Sequence, residues 1–402
     1  MTTASSQPGA VASQPGSVVI HSARLVHDGT VTEDAWVRIA DVRVAATGTG
    51  SGWADDAAAT QDVEIVDATG LAGPGALLTP GFIDIHGHGG AGAAFDDGAE
   101  AIRTARAMHR AHGSTRAVVS LVTGSLDDLA ARVSEIADLR DTDVDILGSH
   151  LEGPFLDPGH KGAHDPALLR NPTEADVQRL LDAGRGTVRQ ITLAPELPGG
   201  LDAVRQAVAN GVVAAIGHMD ADDDTVRAAI EAGATILTHA FNAMHPIHHR
   251  APGPVLTAAA DPRMTLEGIV DNIHLHPHIT KLLFDEAPGR VALITDSMAA
   301  AGSDDGDYLL GGLRVTVRDG VARVDSGSIA GSTLTLDAAL RNTVAAGVPI
   351  TEAVRALTAT PASAIGFDDE LGALRPGMLG DAVLLDADLN VIRVWTGART
   401  AR

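Results

Sequence analysis

Short apolar runs alternate with amphipathic, helix-like segments through the middle of the chain. The apolar runs end near His86, Thr123, Glu152, Pro195, His218, His239, His274 and Asp296. Helical spacing of apolar residues falls between most of these runs, at residues 99–112, 173–183, 201–209, 223–232 and 277–284. Eight strands that alternate with helices predict a (β/α)8 TIM barrel with insertions, since the usual core of that α/β fold has about 250 residues.

Short β-branched stretches occur at both ends of the chain, at residues 18–24, 35–44 and 63–66 and again at 381–385 and 391–395. They predict strands of one small β-sandwich domain built from the two chain ends. The pattern predicts a disordered tail over residues 1–17, the first part of the sandwich over 18–78, a catalytic barrel over 79–370 and the second part of the sandwich over 371–402. Within the barrel range, residues 313–317 and 321–324 predict an inserted hairpin, and 332–345 and 351–365 predict closing helices.

The amino-acid composition of the chain excludes several classes of binding partner. The 402 residues carry a formal net charge of −23, which argues against nucleic acid or an anionic membrane as a partner because both need a basic footprint. The chain has no apolar run long enough to span a bilayer and no secretory signal pattern. It also has no cysteine, which excludes thiolate ligands and disulfides and favours a cytoplasmic setting.

The first predicted barrel strand ends in the sequence GFIDIHGHGG, with His86 and His88 two residues apart. Side chains two apart on a strand point to the same side, so both imidazoles can reach one metal ion. Such a pair is a weak signal alone. The carboxyl ends of the other predicted strands add Glu152, His218, His239, Asp271, His274 and Asp296, and these ends form the active-site face of a TIM barrel. Imidazoles combined with carboxylates predict a site for zinc or iron.

Longer motifs carry a specific resemblance. They are PGFIDIHGHGG, HLEGPFLDPGHKGAH, IGHMDA, THAFNAMHPIHHRAPG, ITDSMAAAG, GSTLTLDAAL and LRPGMLGDAVLLD, between residues 80 and 386. On these motifs the chain resembles the amidohydrolase superfamily, and within it the branch that deacetylates N-acetylglucosamine 6-phosphate. The resemblance implies one or two divalent metal ions per subunit and a homodimer.

The resemblance also implies roles for individual residues. Glu152, His218 and His239 match metal ligands present throughout the branch. His86 and His88 match a second metal position that some members keep, with Glu152 as the bridge. Asp296 matches the catalytic aspartate, and His164 matches a residue that contacts the acetyl carbonyl. The implied contacts to the sugar phosphate are Ala163, His164, Asn242, Ala243, Arg250, His274, Thr333 and Leu334.

The implied reaction is hydrolysis of N-acetyl-D-glucosamine 6-phosphate to D-glucosamine 6-phosphate and acetate, in amino-sugar catabolism and cell-wall recycling. In this interpretation, a metal-activated hydroxide is the nucleophile. Asp296 takes the proton of the attacking water and later gives it to the leaving amine. Arg250 offers a planar fork of donors suited to phosphate, although an ordinary surface charge is an equally good interpretation of this residue by itself.

Other functions remain open at this stage. The enzyme could act on another N-acyl amino sugar or a small amide, or the chain could be a non-catalytic scaffold on the same fold. A carboxylated lysine that bridges two metals has no candidate, because Lys161 lies in a Gly-rich loop and Lys281 in a predicted helix. Gly87, Met219 and Asn272 depart from the usual motifs, and none of these departures removes a predicted metal ligand.

Overall fold

The computed structural model describes residues 10–11, 16–58 and 63–396. Ala10–Val11 is a short strand that lies within the predicted N-terminal tail, and the other described part of that range is residues 16–17. The remainder of the predicted tail lies outside the described residues. None of the helices in the described ranges is long and apolar enough to cross a membrane.

The described strands, in chain order, are β1 Ala10–Val11, β2 Ser17–His27, β3 Thr30–Ala40, β4 Arg43–Thr49, β5 Val63–Asp67, β6 Leu77–Pro80, β7 Phe82–Asp84, β8 Gly89–Gly90, β9 Ala93–Ala94, β10 Ser114–Leu121, β11 Ile146–Glu152, β12 Val188–Leu193, β13 Val213–Ile216, β14 Ile236–Leu237, β15 Thr265–Gly268, β16 Val291–Leu293, β17 Gly306–Leu310, β18 Leu313–Arg318, β19 Val321–Val324, β20 Ala382–Leu385 and β21 Val391–Trp395.

The described α-helices are α1 Gly52–Ala58, α2 Ala68–Ala72, α3 Ala99–Ala111, α4 Leu126–Arg140, α5 Glu174–Ala183, α6 Gly200–Ala209, α7 Asp223–Glu231, α8 Gly253–Ala260, α9 Pro277–Glu286, α10 Leu336–Ala345, α11 Ile350–Leu357 and α12 Ala359–Ala364.

The predicted TIM barrel is confirmed. Strands β7 and β10 to β16 pair in parallel in the order in which they occur along the chain. The seam between the last and first strands is closed by side-chain and backbone bonds, because Thr295 Oγ1 donates to Asp84 Oδ2 at 2.7 Å and Asp296 N donates to the carbonyl of His86 at 2.8 Å. Strands β10 and β11 are buried along their whole length, as expected of a parallel sheet covered on both faces, although both carry polar side chains.

Strands from both chain ends share a second sheet in the order β1-β21-β20-β6-β2-β3-β4, with β5 also paired to β2. This pairing explains the strand signals at the two termini, because β20 lies beside β6 although about 300 residues separate them in sequence. The single strand predicted over residues 35–44 was wrong. Asp41 and Val42 both have positive φ, at 48° and 72°, and form a tight turn between β3 and β4.

Several predicted boundaries also moved. The seventh barrel strand, β15, ends at Gly268, so His274 lies in the loop that follows it. The helix predicted over 351–365 is two helices separated at Thr358, because Pro361 has no N–H to continue the helical ladder. The helix predicted over 332–345 begins at Leu336, because the backbone of Thr335 is extended, with φ −118° and ψ 153°, and Ser332 N donates to the carbonyl of Asp296 at 2.7 Å. Helices α1, α2, α4 and α8 were not predicted.

The predicted hairpin after the eighth barrel strand is present as β18 and β19, and β17 extends it to three antiparallel strands. Its apolar face packs against Val122 and Met298 in a separate small core. This sheet forms one wall of the cleft at the carboxyl end of the barrel, since Leu310 lines that cleft.

Candidate metal centre and active site

Polar side chains converge immediately beyond the carboxyl ends of the barrel strands. The polar residues lie at the last position of a barrel strand or a few residues after it. His86 and His88 follow β7, Glu152 is the last residue of β11, His218 follows β13 and His239 follows β14. Asp296 follows β16, and all six of these side chains are buried. The structure therefore brings together the six residues that the sequence predicted at the core of a metal site.

Glu152 lies at the centre of this group. Its Oε1 is 3.1 Å from His218 Nε2 and 3.3 Å from His239 Nε2. The same oxygen is 3.3 Å from His86 Nε2, and Oε2 is 3.2 Å from His88 Nε2. One carboxylate thus contacts imidazoles from two sides, which is the arrangement required of a bridging ligand.

Asp296 and His164 complete two groups of possible ligands. One consists of His86, His88 and Asp296, and the other of Glu152, His164 and His218. Asp296 Oδ1 is 3.3 Å from His88 Nε2. His164 Nε2 is 3.4 Å from Glu152 Oε2.

The spacing of these atoms fits a coordination sphere. Zinc binds imidazole nitrogen at about 2.0–2.1 Å, so two ligands of a tetrahedral ion are separated by about 3.3 Å. His218 Nε2 and His239 Nε2 are 3.0 Å apart, and His86 Nε2 and His88 Nε2 are 3.2 Å apart. Imidazoles and carboxylates are also the donor types that zinc and iron accept. The residues present therefore fit one or two divalent ions.

The electrostatics favour positive charge in the same place. Burial alone would lower the pKa of His88, but hydrogen bonds and charges of Asp296 and Glu152 outweigh it and raise this pKa to about 9. Burial alone would raise the pKa of Glu152, but neighbouring imidazoles, led by His86, hold it well below the ordinary value. Two buried carboxylates thus stabilise either protonated imidazoles or a bound cation.

The backbone is strained at three of these positions. The φ angle is 48° at His218, 26° at His239 and 46° at Asp296, a region that residues with a bulky side chain rarely adopt. Surrounding structure holds these conformations, for example through the bond from His218 Nδ1 to the carbonyl of His160 at 2.8 Å. Such strain clusters at functional sites, where it fixes the direction of a side chain.

A second layer of buried polar groups, missed in the sequence, orients the imidazoles. Glu267 is fully buried on β15, and its Oε2 is 3.0 Å from His86 Nδ1 and accepts from His239 N at 3.2 Å. Gln190 Nε2 donates to the other oxygen of Glu267 at 2.9 Å. The sequence offered one signal for this layer, namely the carboxylate of Glu267 in the middle of a predicted barrel strand. A charge buried in a strand needs polar partners, so it indicates a polar group nearby.

The predicted substrate contacts divide into two sets. A cleft of about 370 Å³ lies in front of the polar centre, and its lining includes Ala163, His164, Asn242, Ala243 and His274. His274 Nδ1 lies 2.6 Å from Asp271 Oδ2, which fixes the orientation of the ring.

The other predicted contacts do not line this cleft. Thr333 Oγ1 donates to the carbonyl of Gly320, and Leu334 is buried, whereas Gly331 in the same loop does line the cleft. Arg250 is exposed, and its Nη1 lies 2.8 Å from His249 Nε2. The lining of the cleft, drawn from the described residues, contains no arginine or lysine.

Comparison with known proteins agrees with this geometry. Residues 77–400 match the amidohydrolase family. An N-acetylgalactosamine-6-phosphate deacetylase of Escherichia coli is 37% identical over 388 residues, covering 95% of this chain and 99% of that protein. An N-acetylglucosamine-6-phosphate deacetylase of Vibrio furnissii is 34% identical, covering 80% of this chain and 82% of that protein.

Solved structures give the same result. The structure of a mutant N-acetyl-D-glucosamine-6-phosphate deacetylase from Mycobacterium smegmatis, in complex with N-acetyl-D-glucosamine-6-phosphate, superposes with a TM-score of 0.87 at 40% identity. The match covers 96% of this chain and 98% of the other. With its parallel barrel, its strand-end histidines and these matches over nearly its whole length, the chain belongs to the amidohydrolase family, in the group that includes the deacetylases of N-acetylhexosamine 6-phosphates.

Proposed function

We propose that this protein is a metal-dependent deacetylase that hydrolyses N-acetyl-D-glucosamine 6-phosphate to D-glucosamine 6-phosphate and acetate. The observation that carries the proposal is the convergence of Glu152 with four imidazoles and Asp296 at the floor of one cleft. The names of the relatives supply the substrate class. Their place in amino-sugar catabolism and cell-wall recycling extends to this chain as part of the same proposal.

Glu152, His218 and His239 would hold one divalent ion, and His86 and His88 would complete a second position bridged by Glu152. Zinc and iron are the ions that suit this donor set. A divalent ion bound there lowers the pKa of water from about 15.7 to about 7 and so supplies hydroxide near neutral pH.

Asp296 is the proposed proton carrier. Burial alone would raise its pKa, but the charge of His86 and a hydrogen bond from His88 outweigh it and lower the pKa, so that the carboxylate is ionised near neutral pH. It can therefore accept the proton of the attacking water. It then returns this proton to the amine, which is a poor leaving group as an anion.

His164 is the proposed donor to the acetyl carbonyl oxygen. The backbone N–H of Thr123 donates to His164 Nδ1 at 3.4 Å, which leaves the proton of the neutral ring on Nε2. Burial lowers the pKa of His164 and outweighs the opposing effect of Glu152, so the ring stays neutral. An Nε2–H donor beside Glu152 would stabilise the negative charge that develops on the carbonyl oxygen.

The sugar phosphate needs cationic partners, and the lining of the cleft, among the described residues, contains no arginine or lysine. We assign this role to Arg250, acting in a homodimer across the subunit interface, because the residue is exposed and lies outside the cleft of its own chain. Asn242, Ala243 and His274 would contact the sugar, and Thr333 and Leu334 would support the loop beside the acetyl group.

A second candidate substrate is N-acetyl-D-galactosamine 6-phosphate, which differs only in the configuration at C4. The specific support is the Escherichia coli relative, whose match extends over 99% of that protein. Both candidates share the acetamide and the phosphate, so the proposed centre and chemistry are the same for either one.

An acetate-release assay on purified protein tests the proposal with three substrates, namely the two 6-phosphates and unphosphorylated N-acetylglucosamine. We expect the highest kcat/KM with N-acetylglucosamine 6-phosphate. A higher value with the galactose epimer would transfer the assignment to the second candidate. Absence of acetate release from all three substrates by metal-loaded protein would overturn the proposal.

Two variants test the assigned roles. Asp296→Asn should abolish turnover while bound metal stays close to the wild-type amount, and substantial residual activity would show that Asp296 is not the proton carrier.

Arg250→Ala should raise KM for the 6-phosphate far more than for the unphosphorylated sugar. Equal effects on both substrates would show that Arg250 does not recognise phosphate.

A further inference from the structure

Outside the proposed catalytic centre, the described residues form another group suited to a cation, which we call the rim cluster. It consists of His160, Asp220 and His245, each of which offers a ligand atom within 4.8 Å of the other two. His245 Nε2 is 2.6 Å from Asp220 Oδ1, and His160 Nδ1 is 3.9 Å from the same oxygen. The two imidazole rings face each other edge-on, with centroids 5.3 Å apart.

The surroundings of the rim cluster are acidic. Asp157 Oδ2 is 2.9 Å from His160 Nδ1, and Glu196 Oε1 accepts from the backbone N–H of Asp220 at 2.7 Å. In the described part of the chain, no lysine or arginine forms an ion pair with Asp157, Glu196 or Asp220. The ion-pair partners of Asp157 and Asp220 in this part of the chain are imidazoles, and the excess of carboxylates favours uptake of a cation from solvent.

The rim cluster is open to solvent, yet it is connected to the catalytic centre. The side chains of His245 and Asp220 are 49% and 57% exposed, so an ion can reach them without a conformational change. His160 also lines the substrate cleft. Its backbone carbonyl accepts from His218 Nδ1 at 2.8 Å. His160 therefore belongs to the rim cluster and also orients His218, a proposed metal ligand of the catalytic centre.

We propose that the rim cluster is a separate, exchangeable binding site for a divalent transition-metal ion of the zinc class. Two imidazoles and a carboxylate are a donor set for zinc, nickel or cobalt and a poor one for magnesium or calcium, which prefer oxygen ligands throughout. The site is weaker than the buried centre because its ligands are exposed. The assignment rests on these three side chains and does not depend on the proposed deacetylase activity.

Because the rim cluster lies at the edge of the substrate cleft, an ion bound there should affect substrate binding. An ion held by His160 at the edge of the cleft limits the space available to a sugar and fixes the ring that lines the cleft. Excess zinc should therefore raise KM with little effect on kcat at saturating substrate.

Calorimetric titration of ZnCl2 into the metal-loaded, full-length protein tests the binding claim. The matched variants are His245→Asn and Asp220→Asn, with His278→Asn as the control because it removes an exposed imidazole from α9, outside the rim cluster. We expect the wild type and His278→Asn to bind one further ion per subunit. Each rim variant should weaken that binding by at least about tenfold, since even an outer-shell partner of a metal contributes that much.

Equal further binding by all four proteins, or by none of them, would overturn the assignment. Rates measured with increasing zinc form a second test, in which the rise in KM should disappear in His245→Asn and persist in His278→Asn. If none of the proteins has deacetylase activity, the calorimetric result still decides whether the rim cluster binds an ion, so that failure of the proposed function is distinguishable from failure of the site.

Discussion

At the scale of single residues, the centre depends on side chains that do not themselves reach the cleft. The carboxylate of Glu267 contacts Nδ1 of His86 and accepts a hydrogen bond from the backbone N–H of His239. One buried carboxylate therefore orients residues at the ends of two strands. Hydrogen bonds to the far nitrogen of a ligating imidazole set its tautomer and basicity. Precise ligand geometry therefore requires an outer layer of polar groups as well as the ligands.

Replacement of Glu267 by Gln tests this positioning role. We expect the metal affinity of the centre to fall by about 10- to 100-fold, because the amide offers one acceptor in place of two carboxylate oxygens. The measurement is metal retained after dialysis against graded chelator concentrations, with far-UV circular dichroism to check the fold. Glu231→Gln, an exposed carboxylate on α7, is the control, and retention of metal by Glu267→Gln at the wild-type level would contradict the role.

At the scale of elements, the loop that follows β11 organises one side of the centre. Its backbone is bonded to the ends of two further barrel strands, since Gly153 N donates to the carbonyl of Thr192 at 3.1 Å and Asp157 N donates to the carbonyl of His218 at 2.9 Å. These bonds hold His160 and His164 over the cleft. A loop that is tied down in this way can present functional groups with the precision of a strand.

Helix α10 provides an element-scale prediction about pH. Asp337 in its first turn lies 3.1 Å from His112 Nδ1 and accepts from Arg341 Nη1 at 3.1 Å. Burial alone would raise its pKa, but His112 and Arg341 outweigh it and lower the pKa to about 2. Because the folded pKa lies below the unfolded value near 3.9, the stabilisation is complete above about pH 4 and is lost as pH falls through 2.

Asp337→Asn should therefore lower the free energy of unfolding by about 2 kcal/mol at pH 7. The difference from the wild type should shrink between about pH 4 and pH 2, as protonation removes the same charge from the wild type. Urea denaturation at a series of pH values measures both quantities. A difference that stayed constant down to pH 2 would mean that the charge of Asp337 is not the source of the stabilisation.

At the scale of the whole molecule, the barrel and the terminal sheet are joined through a buried ion pair. Arg116 on β10 contacts Asp381, which precedes β20, through Nε at 2.5 Å and Nη2 at 3.1 Å. The backbone of Asp381 also accepts from Gly81 N at 2.8 Å, at the point where the chain passes from the sheet into the barrel. The closing strands of the chain are thus fixed to its first barrel strands.

Asp381→Asn should lower the free energy of unfolding by about 3–5 kcal/mol, because it removes the negative charge that contacts the buried guanidinium of Arg116 through Nε and Nη2. Chemical denaturation of the metal-loaded protein is the measurement. Glu33→Gln breaks the exposed pair with Arg24 and should change stability by less than about 1 kcal/mol. Similar effects of the two substitutions would argue against a special role for the buried pair.

The sequence by itself determined the barrel, the sharing of a sheet by the two chain ends and the set of strand-end residues that meet. Each of these follows from local periodicity combined with one general rule, that the carboxyl ends of parallel barrel strands form a common face. His86, His88, Glu152 and Asp296 could be selected from the chain on that basis.

Only the tertiary structure decided the outer layer of polar groups, the exclusion of Arg250 from the cleft of its own chain and the rim cluster. The contact between Glu267 and His86 joins residues 181 apart, and the contact between His160 and His245 joins two connecting segments that lie outside the barrel strands. Contacts of this kind depend on where loops fold back and how side chains pack. The pattern of apolar residues constrains neither, because it records only which face of an element is buried.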